Sequence, residues 1–137
     1  MKILVVGGGG REHALVWALA RDSSRPRLFC APGNAGTVRL AQPVPIPAEQ
    51  IDGIVQWARE QRPDLVVVGP EAPLCAGLTD RLEAEGIRVF GPRRDAALLE
   101  GSKVFAKDLM LAAGVPTARA KVFVSPGEAV EYARLIG

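Results

Sequence analysis

Lys2-Ile3-Leu4-Val5-Val6-Gly7-Gly8-Gly9-Gly10, residues 2–10, is a short run rich in apolar and β-branched residues that ends on four glycines. Unbroken apolar character marks a strand buried on both faces, as in a parallel sheet. The segment from Glu12 to about Arg21 carries Leu15, Trp17, Leu19 and several alanines and reads as a helix. The same rhythm recurs downstream. Arg27–Ala31 is a second strand, stopped by the turn formers Pro32-Gly33-Asn34-Ala35-Gly36. Gln42–Pro47 alternates apolar residues with proline and suits at most a short edge strand. Ala48–Arg62 sets Ile51, Ile54, Val55 and Ala58 on one helical face, and Pro63 ends it. A strand over Asp64–Val68, with Leu65-Val66-Val67-Val68 at its centre, runs into Gly69-Pro70-Glu71-Ala72-Pro73. A helix over Leu74–Glu85 then stops at Gly86, and Ile87–Phe90 is another strand. Alternating strands and helices of these lengths build an α/β fold, an open parallel sheet with flanking helices joined by right-handed crossovers.

The rhythm changes after Gly91-Pro92. Asp95–Glu100 reads as a short helix and Ser102–Ala113 as a longer one, with Val104, Phe105, Leu109, Met110 and Leu111. Gly114-Val115-Pro116 stops it, Thr117–Val124 is extended, and Ser125-Pro126 opens a last helix with proline at its first position. The composition shift sets a domain boundary or hinge near residues 91–102. The segment from about Thr117 to Gly137 holds one expected strand and one helix, too little for a core of its own.

Bulk numbers narrow the function classes. The chain has 137 residues, 48% hydrophobic and 23% charged, with a formal net charge of +2. That suits a cored globular domain and argues against disorder. The small charge gives no reason to expect a nucleic acid or an anionic membrane as partner. Cys30 and Cys75 have no metal-ligand spacing to each other or to His13, the one histidine, and read as reduced thiols. No apolar run reaches the roughly 18–20 residues that cross a bilayer, and no signal peptide opens the chain. The expected location is therefore the cytoplasm.

In an open parallel sheet, ligands bind at the carboxyl ends of the strands. Three connections there are rich in glycine, proline and small polar residues: Gly7-Gly8-Gly9-Gly10-Arg11-Glu12-His13, Pro32-Gly33-Asn34-Ala35-Gly36-Thr37 and Gly69-Pro70-Glu71-Ala72-Pro73. A dinucleotide site fails two tests. Its fingerprint needs glycine or alanine where Glu12 stands, and an acid at the end of the second strand, where Ala31-Pro32-Gly33 stands instead. A phosphate-and-sugar pocket fits better, with Gly7–Gly10 cradling the phosphate at a helix N-terminus and Asn34, Thr37 and Glu71 offering groups that read hydroxyls. Arg11-Glu12-His13 has a plainer alternative as a solvated first helical turn, in which Glu12 merely favours the helix terminus. Gly101-Ser102-Lys103 lacks the spacing of a P-loop, and a lysine at the start of a helix is ordinarily solvated; Lys107 follows one turn later.

Six segments in order carry a resemblance: Gly9-Gly10-Arg11-Glu12-His13-Ala14-Leu15, Pro32-Gly33-Asn34-Ala35-Gly36-Thr37, Val68-Gly69-Pro70-Glu71-Ala72-Pro73-Leu74, Phe90-Gly91-Pro92, Leu99-Glu100-Gly101-Ser102-Lys103 and Gly114-Val115-Pro116-Thr117. In these the chain resembles the glycinamide ribonucleotide synthetase (phosphoribosylamine–glycine ligase) family of the ATP-grasp superfamily. The resemblance implies a Rossmann-like, pre-ATP-grasp domain over residues 1–101 that binds 5-phosphoribosylamine, and the beginning of an ATP-grasp domain over residues 102–137. It assigns substrate contacts to Gly8, Gly9, Gly10, Arg11, Glu12, Pro32, Gly33, Asn34, Gly36, Thr37, Gly69, Pro70 and Glu71, and ATP phosphates to Lys103. The family's reaction uses ATP with Mg²⁺ (Mn²⁺ as the alternative ion) to phosphorylate the carboxylate of glycine, and the amine of phosphoribosylamine attacks the product. Phosphorylation supplies the leaving group that a carboxylate lacks, and catalysis rests on positioning and charge neutralisation.

The family's second nucleotide lysine, metal-binding acids and glycine site lie beyond these 137 residues. No catalytic residue and no metal ligand is therefore expected within them, and the isolated polypeptide is expected to be inactive, with the rest of the same enzyme as a partner. Two other readings stand at this point: another ATP-grasp ligase with the same front domain, and a non-catalytic phosphosugar-binding module or assembly piece.

Overall fold

The opening apolar run becomes the central strand of a five-stranded sheet. In the computed structural model, which describes residues 1–136, the elements run β1 (Lys2–Gly7), α1 (Gly10–Ala20), β2 (Arg27–Pro32), a 3₁₀ turn (Thr37–Arg39), β3 (Gln42–Pro43), α2 (Ile51–Gln61), β4 (Leu65–Val68), α3 (Glu71–Cys75), α4 (Leu78–Ala84), β5 (Val89–Phe90), α5 (Arg94–Gly101), α6 (Lys103–Ala112) and α7 (Pro126–Ile136). The sheet order is β3-β2-β1-β4-β5, and every neighbouring pair is parallel. The chain divides into two units, residues 1–101 and 102–137.

In the first unit, β1 is buried on both faces because its neighbours' side chains alternate in step with its own. Ile3 and Val5 join Leu28, Cys30 and Val67 under Val16 of α1, with Leu15 and Leu19 at the margin. Leu4 and Val6 join Phe29, Ala31, Val66 and Val68 against Ile54, Val55 and Ala58 of α2 and Leu78 and Leu82 of α4. Fully burying one such side chain contributes about 1.5–3 kcal/mol, so two dry faces on one strand anchor the unit. Trp57 of α2 meets Phe29 edge-on, with ring centroids 5.2 Å apart.

Three differences from the sequence reading have physical causes. The single helix expected over Leu74–Glu85 is two, α3 and α4, because Gly77 takes a left-handed backbone (φ +87°) that breaks the helical run. α2 begins at Ile51 rather than Ala48, and Arg62 takes a left-handed conformation beyond its end, where its N–H donates to Ala58 O at 2.9 Å. Ladder pairing in the last strand spans only Val89 and Phe90.

In the second unit, α6 is capped by Ser102, whose Oγ accepts the Phe105 N–H at 3.3 Å. The expected strand over Thr117–Val124 does not form among the described residues, since no neighbouring strand supplies a ladder. Lys107 Nζ donates to Thr117 Oγ1 and Ala118 O instead, at 2.5 and 2.7 Å. Phe123 lies 5.2 Å from Tyr132 of α7, and Ala106 is the one buried residue of this unit among the described residues. No described helix in the chain is long and apolar enough to cross a membrane.

Candidate functional site

Parallel pairing puts the carboxyl ends of all five strands on one rim. The strand order reverses between β1 and β4, and the crevice outside such a switch point is where open α/β sheets bind ligands. All three glycine-bearing connections meet there.

The first connection turns directly into α1. His13 N–H donates to Gly9 O at 3.1 Å, the first bond of the helix. The amides of Gly10, Arg11 and Glu12 therefore lack helical acceptors, and they lie at the positive end of the helix dipole. Gly8, Gly9, Gly10 and Arg11 are exposed. Arg11 Nη1 donates to Gly69 O at 2.5 Å, tying the guanidinium to the β4 end of the crevice.

Glu12 is not part of a solvated turn. It is 4% exposed, and its Oε2 accepts the Gly9 N–H at 2.6 Å, so an acid at the third helical position closes back on the N-cap. Its carboxylate fills the slot between the ends of β1 and β4. A methyl group at Gly7 or at Gly69 would collide with it, and Gly7 in addition holds φ at +126°. The position that a dinucleotide fold leaves to a small residue is here occupied by a charge.

The second connection is laced to the first. Asn34 Nδ2 donates to Gly8 O and Gly9 O at 3.0 and 3.1 Å, while its Oδ1 accepts the N–H groups of Gly36 and Thr37 at 2.8 and 3.1 Å. Thr37 is buried, and its hydroxyl accepts from Asn34 N at 2.8 Å and donates to Asn34 O at 3.0 Å. Both polar side chains, expected to read hydroxyls, are thus committed to shaping the loop. Gly33 N–H donates to Gly7 O at 3.2 Å, and the Ala31–Pro32 peptide is cis. Gly36 lies against the His13 ring so closely that a methyl group there would overlap it. Sequence reasoning gave His13 no role; the glycine opposite it was the available signal.

In the third connection, Glu71 is exposed in the first turn of α3, after Pro70. Cys30 sits beneath the rim, 1% exposed, its Sγ 3.5 Å from Gly7 O. Burial pushes its thiol pKa up, the nearby Thr37 hydroxyl pulls it down, and the Glu12 charge raises it further. Lys103 belongs to the second unit, exposed at the first residue of α6. Among the described residues no three His, Cys, Asp or Glu side chains converge as a metal-holding group.

Residues 1–100 match the family described as "Phosphoribosylglycinamide synthetase, N domain". The chain belongs to that family. Relatives named phosphoribosylamine–glycine ligase agree with the assignment. The Mycobacterium leprae protein is 52% identical over 126 residues, covering 92% of this chain and 30% of its own length. That of a Nostoc species is 49% identical over 139 residues, covering 100% of this chain and 33% of its own. The chain thus spans about a third of the length of the curated relatives it matches. Among solved structures, the crystal structure of phosphoribosylamine–glycine ligase from Thermotoga maritima superposes with a TM-score of 0.69 at 32% identity, covering 98% of this chain and 30% of that one. The biotin carboxylase domain of Hydrogenobacter thermophilus 2-oxoglutarate carboxylase gives a TM-score of 0.71 at 23% identity over 99% of this chain and 33% of that one, a likeness of fold. The phosphoribosylglycinamide synthetase N domain and the front of a biotin carboxylase thus share one sheet architecture.

Proposed function

We propose that residues 1–101 are the phosphoribosylamine-binding domain of a phosphoribosylamine–glycine ligase, and that residues 102–137 open its ATP-grasp domain. The observation that carries the reading is the rim itself: three connections laced together at the switch point, with unpaired helix-terminal amides beside an exposed arginine. Such amides favour a phosphate, and Arg11 adds a formal positive charge to them. Gly8, Gly9 and Gly10 leave the phosphate room to approach the backbone. Pro32, Gly33, Asn34, Gly36 and Thr37 hold the second loop in place to wall the sugar, while Gly69, Pro70 and Glu71 close the far side, Glu71 with a carboxylate free to accept from a hydroxyl.

The complete ligase would join glycine to the amine of phosphoribosylamine. ATP with Mg²⁺ would supply the phosphoryl group that gives the glycine carboxylate a leaving group. Lys103 fits a nucleotide phosphate in kind: it is an exposed cation on a helix N-terminus whose dipole adds to its charge. Lys107 is committed to Thr117 and Ala118. The residues described here do not fit a metal, and no metal ligand is assigned to this chain. Glycine and the remaining nucleotide contacts would come from the ligase beyond these residues.

Calorimetric titration of the 137-residue chain with ribose 5-phosphate tests the site. Arg11→Ala should weaken binding by about 10- to 100-fold, the value of a charge-assisted hydrogen bond. Unchanged affinity would place the phosphate elsewhere.

A further inference from the structure

The opposite rim of the sheet, at the amino ends of the strands, gathers cations. Lys2 and Arg27 open β1 and β2 side by side. Arg25 stands two residues before β2, Arg62 lies between α2 and β4, and Arg88 immediately precedes β5. These four arginines are exposed, and no ion pair among the described residues includes them or Lys2. The neighbouring acids already hold donors of this chain. Asp22 accepts from Ser24 N–H at 2.8 Å, Glu60 from Gln56 Nε2 at 2.6 Å and Asp64 from Lys2 N–H at 2.6 Å, while Glu85 pairs with Arg59 at 2.6 Å. Each guanidinium carries five N–H donors. Arg62 and Arg88 each commit one of them, to Glu85 O at 3.5 Å and to Asp64 O at 3.1 Å. Donors are in surplus on this rim. The backbone gives a second indication. Arg25 and Arg62, at φ +48° and +47°, are the two left-handed residues other than glycine among the described residues. Glycine is the default at such positions because it has no Cβ to crowd the following carbonyl. Both turns are closed by main-chain bonds that glycine would make equally well, Arg25 N–H to Asp22 O at 3.0 Å and Arg62 N–H to Ala58 O at 2.9 Å. Strain kept where the turn does not need the side chain points to a use for the side chain.

A groove of about 370 Å³ adjoins these cations at the β3 edge of the sheet. Trp57, Phe29, Val44 and Ile46 make it apolar, and Pro43 and Pro45 wall it. Arg27 and Gln61 line it too, and both touch Lys2, Arg27 through strand pairing and Gln61 through a bond from Lys2 Nζ to its carbonyl. We propose that this face docks an acidic segment of a partner protein. One apolar side chain of the segment enters the groove, and flanking carboxylates pair with Arg25, Arg27 and Arg62. An apolar anchor bordered by charge is the anatomy of a protein interface. Pro43 has no N–H to offer at the edge strand, so the segment binds through side chains and not as an added strand. A nucleic acid suits the face less, because Asp22, Glu60, Asp64 and Glu85 are interspersed among the cations and would repel an evenly charged phosphate chain. The phosphosugar crevice lies at the other ends of the same strands, and the two surfaces stand independently.

The probe is a fluorescein-labelled peptide, Glu-Asp-Glu-Leu-Glu-Asp-Glu with blocked ends, titrated with the chain and followed by anisotropy. Its affinity should weaken with added salt, and by about 5- to 20-fold when alanine replaces its leucine. Arg25→Gly combined with Arg62→Gly separates docking from folding. The double variant should melt at or above the parent temperature, since relief of the left-handed strain offsets the added freedom of the unfolded chain. It should nevertheless bind the peptide about 5- to 30-fold more weakly, the upper range for two exposed ion pairs, with ribose 5-phosphate affinity unchanged. Arg25→Gln combined with Arg62→Gln, which keeps long polar side chains, should show the same loss of peptide binding. Undiminished peptide affinity in both double variants overturns the proposal, as does binding indifferent to the leucine. A thymidine oligonucleotide bound as tightly as the peptide, and weakened equally by the variants, would make the face a nucleic-acid site instead. A parent chain that sediments as a dimer, with variants that do not, would seat a second copy there and refute the acidic partner. Failure of the peptide to bind the complete ligase of the proposed function would assign the face to that enzyme's own remainder, with the same consequence.

Discussion

Gly69→Ala puts the packing of the crevice to a direct test. Gly69 does not use a left-handed backbone, so alanine meets no conformational barrier and the cost is one of space alone. The added carbon would fall on the Glu12 side chain, 2.6 Å from both Cγ and Cδ where van der Waals contact needs nearly 4 Å. If Glu12 swings away, it gives up the Gly9 hydrogen bond, a charge-assisted bond worth about 1.5–3 kcal/mol. If it stays, the end of β4 must shift, and overpacking of that kind costs roughly 1–3 kcal/mol. The lower entropy of an alanine-bearing unfolded chain returns about 0.4–1 kcal/mol. The net loss is therefore about 1–2 kcal/mol, or a fall of roughly 5–15 °C in Tm for a unit of this size. Urea denaturation followed by tryptophan fluorescence, from Trp17 and Trp57, provides the free energies, and a double-mutant cycle isolates the contact. Glu12→Ala also destabilises, through the lost cap, but Gly69→Ala added to it should be neutral or slightly stabilising because the obstacle is gone. The two changes should therefore couple by about 1–2 kcal/mol. Additive effects, or a Gly69→Ala variant as stable as the parent, would refute the account of the slot.

Two further outcomes follow from burial. Leu82→Ala removes a fully buried side chain from between α4 and the sheet and should cost about 2–5 kcal/mol by chemical denaturation, whereas Leu135→Ala, at an exposed position, should stay within about 0.5 kcal/mol of the parent. Cys30 should resist alkylation in the folded chain and react on unfolding. With its folded pKa raised, mainly by burial, above the ordinary value near 9.0, the native state holds its proton where the unfolded chain has lost it. Its contribution to stability is complete below that value and falls as pH rises through it toward the folded pKa. A Cys30→Ser chain should lose less stability than the parent between neutral and strongly alkaline pH, and parallel pH profiles would refute the effect.

The sheet was legible because its determinants are local. Four β-branched or apolar residues in a row, as in Val66-Val67-Val68 after Leu65, fit a strand covered on both faces, and glycine and proline punctuate the connections wherever the helices begin. Even the gathering of the three loops follows from parallel pairing alone. The break at Gly77 was missed because glycine is tolerated inside a helical pattern, and only the packing of α3 and α4 on the sheet decides whether it bends the chain. The absent strand over Thr117–Val124 failed for the opposite reason, since an extended run needs a neighbour to pair with and composition does not supply one.

The residue types of the rim could be read from the chain: which positions are glycine, where the arginine and the acids stand, and that Glu12 forbids a dinucleotide fingerprint. What each polar group is free to do was settled only in three dimensions. Asn34 and Thr37 are consumed by hydrogen bonds, those of Asn34 reaching backbone groups 25 and 26 residues away, and Glu12 is turned inward by the close approach of Gly7 and Gly69. Chemical identity is a property of the sequence. Availability for a ligand depends on which partners the fold has already brought within hydrogen-bonding reach.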